Sequence, residues 1–303
     1  MKFDLIIIRY AEIALKGKAT RKRFENTLVN NIKDALKTKN IQNKLRREWG
    51  RIYIYSKEIE KSVDILQKIF GISSISPGLQ TESRINEISK TAIFISKQKL
   101  DKKKSFAIRV NRTGNHDFTS QDVAVKIGND IVKQTKAGVN LTNPDFELFI
   151  EIRNEKAYIF IEKIKGYGGM PIGTQGKILA LIDSKNSILA SWYLIHRGCK
   201  PVFLLTSKIK KDVLERFLNY WFIKSKIIEI STNEKVYYQI NKIAAENYCD
   251  AIVSGISLFD NSKNAMENIR QLKKQTDLPV LHPLIAISKE EINRKLKEIG
   301  LEV

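Results

Sequence analysis

Between Gly166 and Gly198 the chain reads GYGGMPIGTQGKILALIDSKNSILASWYLIHRG, and no other stretch limits its fold so sharply. A glycine-rich connector leads into an apolar strand, Ile178–Ile182, and one short turn later into a helix-like segment, Ser187–Arg197. A strand–turn–helix unit is where α/β proteins hold a nucleotide phosphate, because the first backbone N–H groups of a helix lack internal partners. The turn here, Asp183-Ser184-Lys185-Asn186-Ser187, contains no glycine. Asp, Ser and Asn are also the preferred residues of an ordinary helix cap, so that reading stands beside the nucleotide one. The glycines Gly166, Gly168, Gly169, Gly173 and Gly176 come before the strand instead of joining it to the helix. They read as a tight interdomain connector over 166–176, not as a phosphate loop.

The rest of the chain divides around this run. Over 177–303, Ile178–Ile182, Pro201–Leu205, Lys226–Ile230, Ala251–Val253 and Pro279–Leu284 alternate with helical segments. That alternation predicts a doubly wound parallel sheet. Residues 1–75 read as a ferredoxin-like domain. Strand Phe3–Tyr10 is followed by helix Arg21–Lys37, with Phe24, Leu28, Ile32 and Leu36 at helical spacing, then strand Arg51–Ser56 and helix Ile59–Phe70. Ser76-Pro77-Gly78 reads as a boundary. A second α+β unit then fills 76–165, with helix Ile85–Gln98, strand Ser105–Asn111 and helix Ser120–Thr135. A hairpin of Phe146–Arg153 and Lys156–Lys163 closes it at Asn154-Glu155. The fold class expected is α/β in three units.

Charge narrows the partners. The chain carries 53 Lys/Arg against 33 Asp/Glu, net +20, of which 33 against 19 fall in residues 1–165. A surplus of that size attracts phosphate-rich polymers, and here Arg and Lys stand among aromatics, which favours nucleic acid over a generally basic surface. No run of eighteen apolar residues is present, so no membrane partner is expected. The N-terminus lacks a signal-cleavage pattern. Two cysteines, Cys199 and Cys249, fit a reduced cytoplasmic setting, and each reads as an inert semi-buried thiol. His116, His196 and His282 show no metal-ligand spacing, so no metal site is expected.

Five strings, in order, resemble the 4-thiouridine synthetase (tRNA sulfurtransferase) family in a truncated, archaeal-style form. They are Arg9–Lys18 with Arg21, Phe24 and Glu25; Phe70–Pro77; Phe106–Arg112 with His116, Phe118 and Ser120; Gly166–Lys177; and Ala251–Leu258 with Glu267-Asn268 and Pro279–Pro283. The third is similar to the RNA-binding THUMP domain. The resemblance covers essentially the whole chain and implies a ferredoxin-like domain, a THUMP domain over 76–165 and an adenine-nucleotide-hydrolase-like (PP-loop) domain over 177–303. It also implies tRNA as partner, ATP as cofactor, a homodimer, and a reaction in which ATP adenylates a uridine O4 and persulfide sulfur displaces AMP.

The resemblance places RNA contacts at Lys16, Lys18, Arg21 and Arg23 around Gly17, and at Arg109, Arg112 and His116, where guanidinium forks and a stackable ring suit an RNA end. A solvated basic face, or for Arg109 pairing with a nearby carboxylate, is the competing reading. Nucleotide contacts would fall to Lys177, Asp183, Ser184, Asn186, Ser187 and Gly255. The departures from the family are concentrated there. Its S-G-G-x-D-S loop has become Asp183–Ser187, one residue shorter and without either glycine, and its G-E-S-L-G-Q string has become Gly255-Ile-Ser-Leu-Phe-Asp. The family's catalytic cysteine would lie beyond Val303, so no catalytic residue is assigned. The expectation is a tRNA-binding protein with an impaired catalytic domain. An active ATP-dependent sulfurtransferase making 4-thiouridine, with sulfur from a partner, is the alternative; a separate sulfur donor or catalytic subunit is a further partner to expect.

Overall fold

The computed structural model describes residues 3–206, 208–230, 236–259 and 265–301. Among them the strands are β1 (Leu5–Arg9), β2 (Asn43–Glu48), β3 (Arg51–Ser56), β4 (Ser74–Glu82), β5 (Ser105–Thr113), β6 (Gly138–Val139), β7 (Phe146–Arg153), β8 (Lys156–Phe160), β9 (Ile164–Lys165), β10 (Lys177–Ile182), β11 (Lys200–Thr206), β12 (Ile227–Ile230), β13 (Ala251–Val253) and β14 (Val280–Leu281). The helices are α1 (Lys18–Thr38), α2 (Ile59–Leu66), α3 (Ile85–Ser96), α4 (Ser120–Thr135), α5 (Lys185–His196), α6 (Lys211–Tyr220), α7 (Val236–Glu246), α8 (Ala265–Lys274) and α9 (Lys289–Glu298). By internal contacts the chain forms two units, each discontinuous. One is Met1–Tyr10, Leu36–Gln67 and Ile72–Gly166, and the other is Ala11–Ala35, Lys68–Gly71 and Tyr167–Val303.

The first unit holds a sheet of nine described strands, ordered β2-β3-β1-β4-β8-β7-β5-β6, with β9 beside β4. Alternation sorts its side chains. Ile88, Ala92 and Ile95 of α3 and Val123, Ile127 and Ile131 of α4 pack on Leu148, Ile150, Ile152, Ala157 and Ile159. The opposite face carries Leu5, Ile7, Tyr53, Tyr158 and Phe160 as a second core, with Tyr53 and Tyr158 stacked at 4.5 Å. Thr119 starts α4 with a capping box to Asp122, as the sequence between a loop and an apolar stripe demands. Ser76-Pro77-Gly78, read as a boundary, has strand geometry. It lies inside β4, where Pro77 pairs with Ile6, and a methyl on Gly78 would stand 2.7 Å from the carbonyl oxygen of Ile159. β2 falls in a polar segment, Asn43-Lys-Leu-Arg-Arg-Glu, whose weak alternation hides a strand at the sheet's edge. α2 also ends at Leu66, earlier than its apolar pattern suggests.

The second unit holds a five-stranded parallel sheet, ordered β12-β11-β10-β13-β14. β10 is central; the chain winds outward through β11 and β12, then returns to the other side for β13 and β14. The order therefore reverses between β10 and β13, which makes the C-terminal ends of these two strands the switch point of the fold. Ile178, Ala180 and Ile182 face one core and Leu179 the other, so β10 is apolar on both sides. The glycine connector packs against the C-terminal end of α5. The Met170 N–H donates to the His196 carbonyl at 2.9 Å, and Gly169, at φ +73°, lies where a methyl would overlap that same carbonyl.

Candidate nucleotide and RNA sites

The turn after β10 is closed by its own side chains. Ser184 is the N-cap of α5, and Lys185, Asn186 and Ser187 are its first three helical residues. The Ser187 hydroxyl accepts from the Asp183 N–H at 3.0 Å and the Ser184 N–H at 3.1 Å, and donates to the Ser184 carbonyl at 2.7 Å. The Ser184 hydroxyl in turn accepts from the Ser187 N–H at 3.3 Å and donates to Asp183 Oδ1 at 3.0 Å. Ser187 is 1% exposed and its hydroxyl has no donor or acceptor capacity left. Three of the backbone amides that a phosphate would need at this position are thus engaged. Gly255, which follows β13 on the other side of the switch point, approaches closely. A methyl on it would stand 2.6 Å from Ser187 Cα and would overlap the Ser187 nitrogen. Asp183, Ser184, Asn186, Ser187 and Gly255 therefore do come together, but as a self-satisfied helix cap.

Lys177 does not join them. It begins β10, six residues before the turn, and a strand of that length puts it about 20 Å away at the opposite edge of the sheet. Its Nζ donates to the Asn247 carbonyl at 3.3 Å. Residues 260–264 of the string that starts at Gly255 lie outside the described residues. His282, weighed in the sequence only as a metal ligand, follows β14 at the same edge as the turn; its Nδ1 is buried without a hydrogen-bond partner, and burial lowers its pKa.

Of the RNA candidates, Lys16, Lys18, Arg21 and Arg23 gather at the start of α1. No acidic residue occupies its first turn. Cations at the positive end of a helix dipole oppose the sign that stabilises a helix start, and an anion placed there would relieve both. Arg21 Nη2 donates to the Lys16 carbonyl at 3.0 Å, and Arg23 lies 5.2 Å from the ring of Phe24. Arg109, Arg112 and His116 belong to the other unit. Arg109 is bound to Glu147 at 2.8 Å and to the Leu141 carbonyl at 2.8 Å, which is the carboxylate pairing that competed with RNA contact. Arg112 and His116 meet: Arg112 Nη1 is 3.2 Å from His116 Nδ1, and His116 Nε2 is 2.7 Å from the Asn154 carbonyl. Since a carbonyl only accepts, Nε2 carries the proton and Nδ1 accepts from the arginine. The ring also lies 5.1 Å from Phe118.

One charged cluster gave no signal in the sequence. Glu151, 5% exposed, is held by Arg51 at 2.7 Å, Arg153 at 3.1 Å and Arg9 at 3.2 Å. Burial pushes its carboxyl pKa up, but the guanidiniums of Arg51, Arg9 and Arg153 together hold it below the usual value. Burial likewise pushes the Tyr158 hydroxyl up to about 12. Burial and the Asp250 charge raise the Cys199 thiol, and burial raises Cys249, so neither favours a thiolate. Among the described residues no group of His, Cys, Asp and Glu could hold a metal ion, and no helix is long and apolar enough to cross a membrane.

Family models match the chain as a ThiI ferredoxin-like domain over residues 5–76, a THUMP domain over 82–162 and Thiamine biosynthesis protein (ThiI) over 208–302. A probable tRNA sulfurtransferase of Methanobrevibacter smithii is 33% identical over 99% of this chain and 87% of its own length. The chain belongs to the tRNA sulfurtransferase family. A second relative of that description, from Saccharolobus islandicus, is 34% identical over 98% of this chain and 86% of its own. The crystal structure of a Pyrococcus horikoshii protein superposes with a TM-score of 0.85 at 29% identity, covering 98% of this chain and all of that one. The structure of a 4-thiouridine synthetase in complex with RNA and bound ATP superposes at 0.84 and 28% identity, over 99% of this chain and 86% of that one. The family thus includes a member that holds both RNA and ATP, and the fold is the three-part α/β architecture of that family.

Proposed function

We propose that this chain is a tRNA-binding member of the tRNA sulfurtransferase family in which the ATP-dependent step is impaired. It docks the tRNA acceptor end through the ferredoxin-like and THUMP domains, with boundaries near 75 and 165. Binding draws on Lys16, Lys18, Arg21, Arg23, Arg112 and His116, and less on Arg109, whose guanidinium is already spent on Glu147. One observation carries the loss of the adenylation step: the turn after β10 satisfies three of its own amides through Ser184 and Ser187. A homodimer and a cytoplasmic setting belong to the same reading, with catalysis or sulfur supplied by a separate chain.

The second reading, an active sulfurtransferase with sulfur from a partner, draws on the likeness to a 4-thiouridine synthetase that binds ATP. The two part on one measurement, the tRNA-dependent release of AMP and pyrophosphate from ATP, with tRNA at a concentration shown to saturate binding. The expected result is background release with tRNA bound at least tenfold tighter than duplex DNA of equal length at the same salt. Release well above background would hand the assignment to the active enzyme. Equal binding of tRNA and DNA would remove the tRNA-binding reading itself.

A further inference from the structure

We propose that the cleft at the starts of β10, β11 and β12 is a contact site for the sugar–phosphate backbone of single-stranded RNA. Lys177, Lys200 and Lys226 hold the phosphates and the ring of Tyr248 stacks a base. This rests on the tRNA-binding reading above and adds a surface outside the start of α1 and the end of β5.

Lys177 and Lys200 stand side by side in the parallel register, and Lys226 immediately precedes β12, whose first residue pairs with Phe203. Neighbouring strands lie about 4.8 Å apart and each residue rises about 3.3 Å, so with Lys226 beside Val202, two residues further along than Lys200, the three Cα atoms span roughly 12 Å. Like charges in adjacent register repel, and the apolar sheet behind them gives no structural reason for the row. Among the described residues no carboxylate pairs with any of the three. Instead Lys177 donates to the Asn247 carbonyl at 3.3 Å and Lys226 to Asn247 Oδ1 at 3.1 Å. Neutral acceptors hold these ammonium groups in place without cancelling their charge. The nearby acids are otherwise engaged: Asp250 accepts the backbone N–H of Lys177 at 2.7 Å, and Glu246 stands 4.0 Å from Lys242. Lys224, on the rim, pairs with Asp34 at 3.2 Å and is left out of the row.

Tyr248 completes the site. It is 80% exposed and sits at φ +55°, a region a tyrosine occupies only when its surroundings impose it. The consequence is a ring held out in water at the mouth of the cleft, 5.6 Å from the Lys177 ammonium. The cleft is open, with a volume of about 420 Å³. Ammonium groups beside an exposed ring match a polymer of phosphates and bases better than one small anion, which would leave the ring unused. A fully paired duplex could meet the lysines but would leave the ring unused.

The test is full-length protein binding a fluorescent tRNA across a salt series. It compares wild type, K177Q/K200Q/K226Q, each single substitution, Y248S, and the control K273Q/K274Q/K297Q on exposed lysines of α8 and α9. Melting temperatures are taken alongside, and the single variants give the answer if the triple melts early. The expected result is a 10- to 100-fold loss at 100 mM salt for the triple, with a salt slope lower by about 2, since each lost phosphate contact removes about 0.7–0.9. Y248S should weaken binding several-fold at unchanged slope, and the control should stay within twofold. If wild type binds tRNA selectively but the two triples behave alike, the cleft is overturned and the tRNA reading stands. If wild type shows no selectivity over duplex DNA, the tRNA reading falls first, and this site with it.

Discussion

In the nine-stranded sheet, alternation leaves Arg9, Arg51, Tyr53, Glu151 and Arg153 on the face opposite α3 and α4, with the charged groups locked around one buried carboxylate. In the five-stranded sheet the central strand is apolar on both sides, and polar chemistry is confined to the two edges. A mixed sheet with one helix-free face can build a polar network from strand positions. A parallel sheet covered on both faces cannot, and must offer ligands its strand ends. Here one edge, the switch point, is closed by Ser184, Ser187 and Gly255, while the other carries unneutralised lysines. The difference shows that one parallel sheet can carry unlike chemistry at its two edges, a hydroxyl-capped turn at one and lysines at the other.

Substitutions at three positions probe that contrast. The largest effect is expected for Glu151→Ala, which strands three arginines around a vacated position. Breaking a buried ion cluster this way costs about 3–5 kcal/mol, read by urea unfolding at pH 7. Because the folded pKa of Glu151 lies below its ordinary 4.5, its stabilisation is complete above that pH and is lost as pH falls through the lower, folded value. Wild type should therefore show an acid-side loss of stability that Glu151→Gln lacks; identical acid profiles would mean the network does not stabilise the sheet. Next, Gly255→Ala forces a methyl onto the start of α5 and should cost about 1–3 kcal/mol, seen as a lowered melting temperature. A neutral outcome would mean that the switch point is looser than drawn, which would reopen it to a nucleotide. The smallest effect is Ser187→Ala, which removes the acceptor of two amides and should cost about 1 kcal/mol. A gain in ATP-dependent pyrophosphate release in that variant would show that the serine had been closing an otherwise competent turn.

Much of this was legible in the residues. Ser120–Thr135, Arg51–Ser56, Phe146–Arg153 and Ala251–Val253 were delimited to the residue, because clear periodicity ran between polar punctuation. β2 escaped because an edge strand of Asn, Lys and Arg has no apolar face to display. Pro77 hid its strand in a different way, since a proline at a strand position gives no sign of pairing with partners seventy or more residues away. The same limit explains the sites. The local sequence already suggested that Asp183–Ser187 caps a helix. That Lys177 belongs with Lys200 and Lys226, and Glu151 with three arginines, depends on strand order, which no local pattern carries. Arg109 showed its competing carboxylate only once β5 lay beside β7.

The discontinuity of the second unit has a consequence for how the chain is made. Residues 11–35 leave the ribosome early, yet their partners come late: Asn31 donates to the Ile172 carbonyl, Asp34 pairs with Lys224, and Glu12 with Arg197. At about 5–20 residues per second, the helix waits roughly ten to forty seconds before all of those contacts exist. Until then Glu12, Asn31 and Asp34 lack these partners, so nascent chains stalled between the THUMP segment and β10 are where chaperone dependence would concentrate.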